Sequence, residues 1–120
     1  MIDQFIGTLF LARDVAHREH LRTKSYSQHK ALGHFYEDIA GLTDKLTETY
    51  QGRHGIISEI PILTEEKKYK EALYCLAEKL AYIEKNRYKA IPKEDSALQN
   101  IVDEIVGLFL STIYKLENLK

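Results

Sequence analysis

Four side chains in this 120-residue sequence stand at a spacing that could hold a metal ion: His17, His29, Asp44 and Glu48. Imidazole nitrogens with carboxylate oxygens make a mixed donor set suited to iron or another divalent transition metal. Asp44 and Glu48 fall one helical turn apart on one side of a helix, where they can act together as hard oxygen ligands. Fifteen residues separate His29 from Asp44, about 22 Å along a helix that rises 1.5 Å per residue, so the histidines and these carboxylates of one chain cannot reach one ion. They meet only across a dimer. Two copies of the same helix packed antiparallel about a two-fold axis would set His17 and His29 of one chain opposite Asp44 and Glu48 of the other, twice over.

The helix that must carry three of these residues begins near Ser25 or Ser27, either of which can be an N-cap, and runs to about Gln51, where Gly52 supplies a stop. Its apolar stripe is Leu32, Phe35, Ile39, Leu42, Leu46 and Tyr50, which predicts a core-facing side. At about 100° per residue, His29, Gly33, Glu37, Asp44 and Glu48 share a different arc of the same helix. Ala40, Gly41 and Thr47 lie along that arc with Gly33, and small residues admit a close second helix. The face predicts a partner.

Three more helices complete the pattern. Ile2, Phe5, Ile6, Leu9, Ala12 and Ala16 recur at helical spacing, predicting a first helix from Ile2 to about Leu21 that carries His17. Thr64 followed by EEKKYK reads as an N-cap and a charged first turn, opening a third helix through Leu73, Leu76, Leu80 and Ile83 to about Arg87. After Pro92 a fourth, from about Lys93 to Leu116, presents Leu98, Ile101, Val102, Ile105, Leu108, Phe109, Thr112, Ile113 and Leu116 on one broad side. The longest break, GRHGIISEIPIL, is Ile-rich at its centre and is expected to pack back on the helices. The prediction is an all-α, antiparallel four-helix bundle forming one domain over residues 1–120.

Composition narrows the function classes. Lys plus Arg number 17 against 18 Asp plus Glu, a formal net charge of -1, so no global field draws in nucleic acid or an anionic membrane. A single cysteine, Cys75, excludes an intrachain disulfide framework and a cysteine-based zinc site, and it points to a reducing compartment, the cytoplasm. At the start, Asp3 stands where an export signal carries basic residues, and Arg13 and Asp14 interrupt the apolar stretch, so neither export nor membrane insertion is expected. Nothing resembles a phosphate loop, a nucleophile elbow or a catalytic triad.

The stretch AHREHLRTKSYSQHKALGHFYEDIAGLTDKLTETYQG resembles the ferroxidase region of the Dps mini-ferritins, which belong to the ferritin-like superfamily. That family places a His, a second His twelve residues on, an Asp fifteen later and a Glu four after that, and His17, His29, Asp44 and Glu48 match without a gap. The resemblance covers about a third of the chain. It implies a ferritin-like bundle that binds iron between two subunits, histidines from one and carboxylates from the other, and oxidises Fe(II). The family carries another acidic ligand four residues after the second His, where this chain has Gly33; Glu37, one turn further, is expected to serve as an auxiliary ligand. No lysine-rich tail precedes the first helix, so DNA binding is not implied. The short helix between the family's second and third helices is represented only by the GRHGIISEIPILT loop, so the implied assembly is a dimer through the second helix rather than a twelve-subunit cage. A second reading, from another class, is a metal-free helical dimer serving as a structural or interaction module.

The remaining candidates have structural expectations. His20 lies on the apolar side of the first helix and reads as a hydrogen-bonded core or turn histidine; His34 and His54 read as surface or loop residues. Tyr36, Tyr74, Tyr82 and Tyr114 read as amphipathic packing residues, and Cys75 as a small buried hydrophobe.

Overall fold

Local chemistry sets three of the element boundaries in the computed structural model, which describes residues 1–120. The four helices are α1 (Ile2–Arg22), α2 (Tyr26–His54), α3 (Ala72–Ala90) and α4 (Ser96–Asn118). Ser25 is the N-cap of α2: its Oγ accepts the backbone N–H of Gln28 and satisfies one of the donors that a helix start leaves free. Asp95 does the same for α4 through the N–H of Leu98, and its second oxygen pairs with Arg53 at 2.8 Å, tying the start of α4 to the end of α2.

Four boundaries differ by three or more residues from those the sequence predicts: α2 ends at His54 rather than Gln51, α3 runs from Ala72 to Ala90 rather than from Thr64 to Arg87, and α4 opens at Ser96 rather than Lys93. The second helix passes through Gly52 and ends at Gly55, whose φ of 89° is the one left-handed backbone position in the chain. A helix tolerates glycine in its last turn, whereas a positive φ demands it. The third helix opens at Ala72 rather than after Thr64. Residues 64–70 stay non-helical because their charged side chains reach sideways to α3: Glu65 pairs with Lys79, and Lys67 with Glu78 at 3.0 Å. Tertiary partners here outweigh a local helix-start pattern.

Around the bundle, α1 packs on α2 and α3, and α4 packs on the same two, so α1 and α4 are diagonal. His20 beside His29 makes α1 and α2 antiparallel; Arg87 bonded to Gln99 and Asp103 does so for α3 and α4. The chain therefore forms two antiparallel hairpins joined by one long crossover, residues 55–71, which travels back along a body of 43 × 25 × 22 Å. As expected, this segment packs on the helices, with Ile57 and Ile60 against the core. Gly7 lets it lie flat on α1, since a Cβ there would stand 3.0 Å from the Pro61 carbonyl oxygen. Phe5, Leu9, Leu32, Phe35, Ile39, Ile83, Val102 and Phe109 are among the fully buried core side chains. Cys75 is buried too, and burial pushes its thiol up to about 11, so it stays protonated and unreactive. No helix is long and apolar enough to cross a membrane.

The crossover is pinned by the Glu65–Lys79 pair. Burial opposes ionisation of Glu65, but hydrogen bonds from Lys79 and from the Lys67 backbone outweigh it and hold its carboxyl below the usual range. A carboxylate whose folded pKa is depressed contributes stability above its unfolded value and loses it as pH falls through the folded one. Chemical denaturation from pH 7 down to pH 3 is expected to show wild-type stability declining below about pH 4.5, the ordinary glutamate range. In Glu65→Gln part of that decline is already present at pH 7 and the curve is flatter; superimposable curves would show that the pair does not hold the crossover.

Candidate metal centre

The turn between α1 and α2 folds the last turn of one helix against the first turns of the next, and four rings from the two helices come together there. His20 and His29 stack with ring centroids 3.8 Å apart and 17° between planes. His17 stacks on Tyr36 at 4.0 Å, and the edge of Tyr36 meets His20 at 5.2 Å. The two expected ligands of this end do not touch each other directly; His20 lies between them, 6.3 Å from His17. Its expected role as a hydrogen-bonded turn histidine agrees with what is observed, and its contact with His29 is new.

Hydrogen bonding fixes the protons on this pair. His29 Nδ1 lies 2.8 Å from the His20 carbonyl oxygen, and His20 Nδ1 lies 2.6 Å from the His29 carbonyl oxygen. A carbonyl can only accept, so each Nδ1 must carry the proton and donate it. In the neutral form each Nε2 then has a bare lone pair, the state in which imidazole binds a metal. A donor bond from the second ring nitrogen to backbone is also the usual support of a metal-ligating histidine.

Gly33 has a different use from the one its position suggested. A Cβ built there would stand 3.0 Å from His20 Cε1 and 3.1 Å from His20 Nδ1. The space beside Gly33 is filled by the chain's own imidazole rather than left for a partner helix. Of the small residues on this arc, Gly41 remains open, with nothing within 4 Å of where its Cβ would be.

The carboxylates lie elsewhere on α2. Glu37, Asp44 and Glu48 are all exposed, on the side turned away from the core residues Phe35, Ile39 and Leu46. None enters an ion pair, although the neighbouring Lys45 reaches across to Glu104 on α4 at 3.6 Å. An unneutralised row of like charges attracts cations and costs the isolated chain some repulsion. Within one chain, no three His, Cys, Asp or Glu side chains converge to hold an ion. The nitrogen and oxygen donors sit at separate places on α2, as the 15-residue spacing requires.

Other candidates take the places expected of them or are simply exposed. His34 and His54 are on the surface. Tyr82 packs on Phe5 at 6.4 Å, Tyr74 and Tyr114 are half exposed, and Tyr36 alone of the four tyrosines joins the histidines. The sequence signal for that contact was present in the 3.6-residue period, which puts Tyr36 on the edge of the arc beside His29.

Comparison with known proteins gives relatives without an assigned role. A family model described as "Family of unknown function (DUF5856)" matches residues 20–116, from His20 through nearly all of α4. The chain is also 29% identical over 114 residues to an uncharacterized 14.6 kDa protein in the mobD-ri intergenic region of Enterobacteria phage T4, covering 95% of this chain and 86% of that protein. No solved structure matches.

Proposed function

The chain belongs to this family of unknown function, and we propose that it is a Dps-like, ferritin-like protein that binds iron between two subunits and oxidises Fe(II) there. His17 and His29 of one chain and Asp44 and Glu48 of its partner would be the ligands, with Glu37 as the auxiliary carboxylate. The observation that carries this reading is the state of His29: its Nδ1 proton is committed to a backbone carbonyl, which leaves Nε2 for a metal. Three exposed, unpaired carboxylates on the same helix supply the complementary half. His17 is held by the Tyr36 ring, with no hydrogen bond within the chain on either of its nitrogens. Two hairpins joined by a single long crossover also suit a ferritin-like bundle.

Fe(II) is the substrate in this reading. Hard carboxylate oxygens favour Fe(III) over Fe(II), the imidazoles complete the coordination, and each iron passes one electron to dioxygen or peroxide. The assembly is a homodimer through α2, and the balanced charge offers nothing to DNA. With one buried, protonated cysteine and no helix suited to a membrane, the cytoplasm is the compartment proposed.

A second reading, a metal-free helical dimer acting as a structural or interaction module, is favoured by one specific observation. The space over Gly33, where the resembling family has an acidic ligand, is occupied by His20. The two are separated by metal analysis of protein purified without chelator, followed by Fe(II) oxidation with wild type and His29→Ala. The wild type is expected to take up two ions per dimer and the variant to lose at least about 100-fold in affinity, since deleting a ligand costs more than losing a partner that merely supports one. A wild type that takes up no divalent metal would leave the metal-free reading, and a variant that oxidises iron at the wild-type rate would remove the His29 site.

A further inference from the structure

We propose that His20 is the positioning residue of this centre, and that it acts by ring stacking: it holds the His29 imidazole in the one plane in which the Nδ1–H bond to the His20 carbonyl persists and Nε2 stays bare. The proposal rests on the metal-binding reading above and adds to it a residue outside the resembling ligand set. It begins from an unmet need of α1. The last four carbonyls of a helix have no partner within it, and His20 lies in the last turn of α1, so its carbonyl needs an outside donor. His29 Nδ1–H supplies it at 2.8 Å.

That bond alone does not fix the ring. The His20 side chain does, by lying 3.8 Å from the His29 ring at 17° to it. His20 in turn is braced on three sides. Its Nδ1–H donates to the His29 carbonyl, the Tyr36 edge stands 5.2 Å away at 70°, and the ring lies against Gly33, where a Cβ would come within 3.0 Å of it. Any side chain at position 33 would meet His20 at about 3 Å. The missing acid at 33 and the stacked ring of His20 are therefore one arrangement: the room a carboxylate would fill is given to the group that orients His29. The His20-to-His29 hydrogen bond matters less, because the His29 carbonyl still accepts the Gly33 N–H within α2.

The test reads the tautomer in the metal-free protein, so it is independent of metal uptake. Long-range proton–nitrogen correlation on histidine-labelled protein at pH 8 is expected to show His29 with a protonated Nδ1 and a bare Nε2. In His20→Ala a substantial Nε2–H population should appear, and affinity for Co(II) should fall about 10-fold, the lower end for losing a supporting partner. His20→Phe, which restores a stacking ring without the Nδ1 donor, should recover both. A purely structural His20 would lower thermal stability in the alanine variant and leave the tautomer untouched. Wild-type His29 signals in His20→Ala, or a phenylalanine variant as defective as the alanine one, would overturn the proposal. Failure of the wild type to bind Co(II) would instead sink the metal-binding reading.

Discussion

Asp44→Ala protein mixed with His17→Ala protein, each expected to bind no metal alone, should recover about a quarter of wild-type metal sites once the subunits exchange. The magnitude follows from symmetry. Random exchange makes about half of the dimers mixed, and each mixed dimer has one site with both nitrogen and oxygen halves whole and one with both damaged. The physical requirement behind it is distance: His29 and Asp44 lie about 22 Å apart along α2, too far for one ion. Titration of Co(II) into the mixture, with exchange verified by mass-tagged subunits, measures the recovery. Binding that stays at background in verified mixed dimers would show that the donors do not share a site. Substantial binding by either variant alone would place the ion elsewhere.

Replacing Phe35 with alanine is expected to cost about 4 kcal/mol, within the range for emptying a buried aromatic site. Phe35 is fully buried and meets Phe109 edge-on, with centroids 4.9 Å apart and 80° between the planes. That contact is the main aromatic link between α2 and α4, so the cavity opens between the two hairpins. The loss would remove a large share of the 5–15 kcal/mol that domains of this kind typically hold. Urea unfolding gives the value directly. A cost below about 1 kcal/mol would mean the core collapses around the gap and that the hairpins are not held by this pair. Because Phe35 faces away from Glu37, Asp44 and Glu48, variant dimers that remain folded should keep the metal affinity of the wild type.

How far each feature could be foreseen depends on how local its cause is. The 3.6-residue recurrence of Leu32, Phe35, Ile39 and Leu46 suffices to place α2, its buried side and the exposed side of Glu37, Asp44 and Glu48, because burial on a helix is a matter of angle alone. A serine cap at 25 or 27 (the structure selects Ser25), the burial of Cys75 and the exposure of His34 and His54 follow from residue type and neighbours in the same way. The start of α3 does not. Thr64 with its charged successors has the chemistry of a helix start, and only the presence of Lys79 and Glu78 alongside draws Glu65 and Lys67 toward α3 and keeps the segment non-helical.

The histidines divide along the same line. Spacing places the candidate donors His17 and His29 at one end of the α1–α2 hairpin and the candidate donors Asp44 and Glu48 well removed from them, since rise per residue is constant in any helix. What the rings touch was settled by the rotation of α1 against α2, a quantity no interval in the sequence encodes. That rotation puts His20, rather than His17, face to face with His29, and it turns Gly33 from an apparent gap in a ligand set into the floor beneath a stacked imidazole. Amphipathic pattern dictates which faces exist; the close packing of two particular helices decides which atoms meet, because it depends on every side chain between them at once.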